Sequence, residues 1–74
     1  MKVPIPHTAQ EIEADLLRRI GSGEFPRGQR LPTYDELAAE YGSARRTVAR
    51  AVEALKARGI VVGVRGSGVY VAEA

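Results

Sequence analysis

Two helical stretches joined by one very short turn constrain this chain more than any other feature. In "TYDELAAEY", residues 33–41, Leu37, Ala38 and Tyr41 form an apolar edge behind a capping box. The Thr33 hydroxyl can accept from a first-turn N–H there, while Glu36 reaches back to the Thr33 N–H. Gly42 ends this helix after about two turns. The next helix starts near Ser43 or Ala44 and runs to Gly59. Helices joined this tightly cross steeply rather than lie antiparallel, as in a helix-turn-helix.

Upstream, "TAQE" at Thr8 is a second capping box. Ile12, Leu16 and Ile20 follow at a spacing of four with Leu17 alongside, which predicts a helix from Thr8 to Ile20 stopped by Gly21. "GSGEFPRGQRLP" reads as a loop anchored in the core by Phe25 and Leu31. After Gly59 the pattern changes. "IVVGV" and "VYVA" are β-branched runs flanking "RGSG", which predicts two short strands and a glycine turn. Val62, Val64, Val69, Tyr70 and Val71 are expected to close the core with Phe25 and Tyr41. The fold class is α+β, mainly α: three helices and then a two-stranded β-hairpin. Residues 1–7, "MKVPIPH", read as a flexible arm, and residues 8–74 as one domain.

With 74 residues, a deep catalytic cavity is not expected. The chain has no cysteine, and one histidine, His7, makes no conventional zinc site by itself. The carboxylates fall mainly in capping or surface positions, without a nucleophile–base pair, so no enzyme, cofactor or metal is expected. No apolar run has the length of a membrane span and no signal-peptide pattern occurs, so the expectation is a soluble cytoplasmic protein.

The net charge of +2 hides a polarised distribution. Thr8 to Gly42 carries four arginines against seven acids, whereas Arg45 to Arg65 carries six cations against Glu53 alone. With about 100° per residue, Val48, Ala51, Val52 and Leu55 form the buried stripe of the third helix, and Arg46, Arg50, Glu53 and Ala57 face away from it. Arg45 and Arg46 stand in the first turn, where the helix dipole disfavours cations. Alanines at 49, 54 and 57 let a flat partner approach. An anion in front of the helix accounts for this pattern, and DNA is such an anion, with a major groove that admits an α-helix. Arg45 or Arg46 can then grip a guanine edge or a phosphate, and Thr47 a phosphate or a thymine methyl. The competing reading makes Arg50 a partner of Glu53 on a merely solvated face. Arg65, at the turn with Gly66 and Ser67, can enter a minor groove beside the helix.

"PRGQRLPTYDELAAEYGSARRTVARAVEALKARGIVVGVRGSGVYV" resembles the winged helix-turn-helix DNA-binding domain of GntR-type bacterial transcription regulators. The residues that carry the resemblance are Gly28, Leu31 and Pro32, then Glu36-Leu37-Ala38 and Tyr41-Gly42. Arg45, Thr47-Val48 and Ala51 to Leu55 continue it, followed by Gly59-Ile60 and Gly66, Gly68 and Val71. The resemblance implies a third helix in the major groove, the start of the second helix (Thr33, Tyr34) against a phosphate, and a wing in the minor groove. Carried over by position, it nominates Thr33, Arg45, Arg46, Thr47, Arg65, Gly66 and Ser67, to which the facing argument adds Arg50. Such regulators commonly have arginine where this chain has Asp35, a hydroxyl where it has Ala44, which leaves Ser43 as the only hydroxyl to cap the third helix, and arginine where it has Ala49. They also usually carry a C-terminal domain that binds an effector and forms the dimer. This chain stops three residues after the wing, as a stand-alone regulator or a fragment, and no effector site is expected in it.

The function this implies is sequence-specific double-stranded DNA binding as a transcriptional regulator, a repressor, with two copies on a palindromic operator. The alternatives are a protein-interaction module or a plasmid or phage accessory factor on the same scaffold.

Overall fold

The computed structural model describes residues 8–73, so the arm expected over residues 1–7 lies outside the described residues. Helix α1 spans Ala9–Gly21, α2 Tyr34–Tyr41 and α3 Arg45–Ala57, followed by strands β1 (Val61–Val64) and β2 (Gly68–Val71). Both capping boxes form. The Thr8 and Thr33 hydroxyls each accept from the amide three residues on, at 3.1 Å, and Glu11 and Glu36 return the bond to the cap amides.

The end of α1 differs from expectation. Gly21 is still helical, Ser22 is the C-cap, and Gly23 takes the left-handed turn with φ +89°. The helix therefore runs until a residue must turn out of it, two positions after the first glycine can. At the start of α3 the N-cap position falls on Ala44, whose methyl side chain offers no acceptor to a first-turn amide. Gly42 behaves as expected: its φ of +63° lets the chain leave α2 and re-enter a helix within three residues.

Helices α1 and α2 both pack on α3, whose Val48, Ala51, Val52 and Leu55 are fully buried. Ile12 and Leu16 of α1, Leu37 and Tyr41 of α2, and the loop anchors Phe25 and Leu31 complete the helical side of the core. The hairpin contributes less than expected. Val71 and its cross-strand partner Val61 are buried, Val69 and Tyr70 are half-buried, and Val62 and Val64 are 46% and 47% exposed. Alternation along β1 explains the difference: Val61 faces the helices, so Val62 and Val64 face away. The strand β2 is also hydrogen-bonded on its other side by the loop before α2, through Leu31 N to Val69 O at 2.7 Å and Val71 N to Gln29 O at 2.9 Å. That loop anchors the wing to the start of the helix-turn-helix.

One buried residue breaks the helical apolar stripe. Arg19, only 8% exposed, lies where α1, the following loop and α2 meet. Its Nε and Nη2 donate to Glu24 at 2.9 and 2.7 Å, its Nη1 to the Tyr41 hydroxyl at 2.9 Å, and Nη2 lies 2.9 Å from Glu40. Its guanidinium also covers the Phe25 ring at 4.5 Å, and Tyr41 passes the chain on by donating to Asp15 at 2.6 Å. Burial, and then the hydrogen bond to Asp15, push the Tyr41 hydroxyl pKa up to about 12. Burial also pushes Asp15 up, but hydrogen bonds from Tyr41 and Arg18 outweigh it and hold its carboxyl below the usual range.

A folded pKa raised above its unfolded value stabilises the fold at lower pH. The Tyr41 contribution is therefore present in full below about pH 10 and lost as pH rises through about 12. Melting temperature measured across that window is expected to fall more steeply in the native chain than in Tyr41→Phe, which has no such proton to lose. Equal slopes would assign the alkaline loss to other groups.

Candidate nucleic-acid interface

The face of α3 opposite Val48 and Leu55 carries Arg46 and Arg50, both exposed. Among the described residues neither side chain has a carboxylate partner or a hydrogen bond. The alternative pairing of Arg50 with Glu53 does not occur, because Glu53 accepts from Lys56 at 3.0 Å. That bond, opposed by partial burial, raises the Lys56 pKa and keeps the ammonium charged. Thr47 is half-buried beside Val48, and Ala49 leaves the flank low.

Arg45 is held differently. Its Nε donates to Asp35 Oδ1 at 2.9 Å, and its guanidinium lies 5.4 Å from the centre of the Tyr34 ring. The first turns of α2 and α3 are thereby joined through exposed side chains. Thr33, at the start of α2, uses its backbone N–H and its hydroxyl in the capping box with Glu36. Helix α2 thus begins with Asp35 and Glu36 close to the residues nominated for phosphate contact.

Arg65, Gly66 and Ser67 form the exposed loop of the hairpin, closed by Ser67 N to Val64 O at 2.9 Å. Gly66 adopts φ +78°, so the tip requires glycine for its turn. The Ser67 hydroxyl is 2.5 Å from that of Tyr70, which orients it along the wing. Two further cations stand at the base of the wing. A Cβ on Gly63 would lie 3.1 Å from Lys56 Nζ, and one on Gly68 would lie 3.0 Å from Arg30 Nε. Lys56 therefore crosses β1, and Arg30 crosses the start of β2, where the glycines leave room. An open hollow of ≈ 630 Å³ lies between Lys56 and the wing loop. Sequence reasoning nominated neither Arg30 nor Lys56. The one available signal was Gly63, an unexplained glycine inside a β-branched run, which marks a close approach.

Unpaired cations on an exposed helix face, a steep turn before it and a hairpin carrying another arginine after it fit one family. Residues 8–71 match the model of bacterial regulatory proteins of the gntR family. The chain belongs to the GntR family. It is 36% identical over 70 residues to the histidine utilization repressor of Pseudomonas putida, across 95% of this chain and 28% of that protein. A GntR family transcriptional regulator from Listeria monocytogenes superposes with a TM-score of 0.87 at 29% identity, over 99% of this chain and 61% of that one. The DNA-binding domain of AraR in complex with operator ORX1 gives a TM-score of 0.83 at 27% identity, over 96% and 82%. The three helices and hairpin are thus the winged helix-turn-helix of GntR DNA-binding domains. The chain spans about a quarter of the length of curated GntR relatives such as the Pseudomonas putida repressor. No helix among the described residues is long and apolar enough to cross a membrane.

Proposed function

We propose that this chain binds duplex DNA sequence-specifically in the bacterial cytoplasm, as the DNA-binding part of a transcriptional repressor. The observation that carries the reading is the outer face of α3, where Arg46 and Arg50 lack acidic partners among the described residues, most of whose other cations are paired. The solved likeness of the AraR domain on its operator supports the same reading.

In this proposal α3 lies in the major groove. Arg45 and Arg46 read base edges there, and Thr47 and Arg50 contact a base or the adjacent phosphate. Thr33 and Tyr34 face the backbone at the edge of the groove. Arg65 enters the minor groove with Gly66 and Ser67, and Arg30 and Lys56 face the phosphates on either side of the wing. Two copies occupy the halves of a palindromic operator, since one small domain offers little area for specific binding.

Salt dependence separates this reading from a protein-interaction role. Binding to a duplex is expected to weaken linearly in a log–log plot against salt, with a slope of about −0.9 per phosphate neutralised. No retention on any duplex at low salt would favour a protein partner.

A further inference from the structure

We propose that Asp35 is a positioning residue for Arg45, and that it makes the reading of one base pair more selective at the expense of overall affinity. The proposal rests on the reading of Arg45 as a base-contacting residue. Asp35 projects from the first turn of α2, where the helix dipole favours an acid. Its carboxylate takes the Arg45 Nε, and the Tyr34 ring lies against the guanidinium. Both charged side chains are well exposed, at 65% and 80%, so the pair contributes little to folding. Its effect is on orientation.

An arginine that presents two donors to a guanine does so through one edge of its planar fork. With Nε held by Asp35, and no other side-chain hydrogen bond to Arg45 among the described residues, the edge left for a ligand is the Nη pair. Clamping the guanidinium between a carboxylate and a ring restricts its rotation before DNA arrives. Less side-chain freedom is then lost on contact with a correctly placed guanine. On other sequences the same clamp works against binding. Arg45 cannot swing freely to the nearest phosphate, and the Asp35 carboxylate faces a polyanion without a compensating base contact. Discrimination therefore comes from a repulsive group as well as an attractive one.

The test compares native chain, Asp35→Ala, Asp35→Asn, Arg45→Ala and the Asp35→Ala/Arg45→Ala double variant. Each is titrated against a duplex selected from random DNA, against the same duplex with each guanine replaced in turn, and against random duplex. Arg45→Ala is expected to reduce discrimination at one base pair by roughly 5- to 100-fold. Asp35→Ala is expected to reduce discrimination at that same base pair by about 3- to 10-fold while strengthening binding to random duplex by a similar factor. Asp35→Asn, which keeps an acceptor for Nε without the charge, should retain the base preference and show only the gain on random DNA. In the Arg45→Ala background, Asp35→Ala should leave discrimination at that position unchanged. If Arg45→Ala relaxes the preference and Asp35→Ala does not, the positioning role is overturned while base reading stands. If Arg45→Ala changes no base preference, the reading beneath the proposal fails as well.

Discussion

Replacing Arg19 with alanine is expected to lower the unfolding free energy by about 2–4 kcal/mol, a large share of what so small a domain has. The guanidinium is buried, and its removal leaves Glu24, Glu40 and the Tyr41 hydroxyl without their donor. The two carboxylates are 50% and 47% exposed, so water relieves part of the loss, and the figure stays below that for a fully buried pair. Tyr41 keeps its bond to Asp15 but loses the donor to its hydroxyl oxygen, inside the core at 4% exposure. The change also uncovers the Phe25 ring. Arg19→Met separates the two effects: methionine restores cover over Phe25 but supplies no donor, so it should recover only part of the stability. Urea unfolding followed by circular dichroism measures both. A loss under about 0.5 kcal/mol in Arg19→Ala would make the network incidental to folding.

The second large effect is expected on binding. Arg46→Ala should cost roughly 1–3 kcal/mol on a specific site and relax the preference at one base pair, with folding stability unchanged. Arg46 is exposed and has no acidic partner among the described residues, so its removal orphans no acid there. Arg65→Ala is its counterpart on the wing, and its loss should be greatest on sites with A·T-rich flanks, where the narrow minor groove deepens the negative potential. Titration of both variants on matched specific and random duplexes distinguishes the roles. Equal losses on the two duplexes for Arg46→Ala would leave it only a phosphate contact.

The parts of the fold that were legible in the sequence are those set by local chemistry. Thr8 with Glu11 and Thr33 with Glu36 announce helix starts because the bonds they make span only three residues. Gly42 announces the turn because the chain needs a positive φ there. The inward stripe of α3 follows from periodicity alone, and so does the outward position of Arg46 and Arg50. The features that were hidden depend on distant segments meeting. Arg19 looks like one of a pair of basic residues in a helix's last turn until Tyr41, 22 positions away, supplies its partner. The orientation of β1 was set by Val61, which pairs with Val71 and packs on the helices, leaving Val62 and Val64 outside. The same holds for Arg45, whose partner Asp35 sits ten residues earlier on another helix.

Selection of bound sites from random duplex DNA tests the central claim most directly, that α3 and the wing together read sequence. The expected result is enrichment of one motif containing guanine at the positions reached by α3, with an A·T-rich step at the distance reached by the wing, repeated in inverted orientation. A bound pool with the same composition as the input, despite measurable retention, would contradict sequence reading and leave only electrostatic attachment.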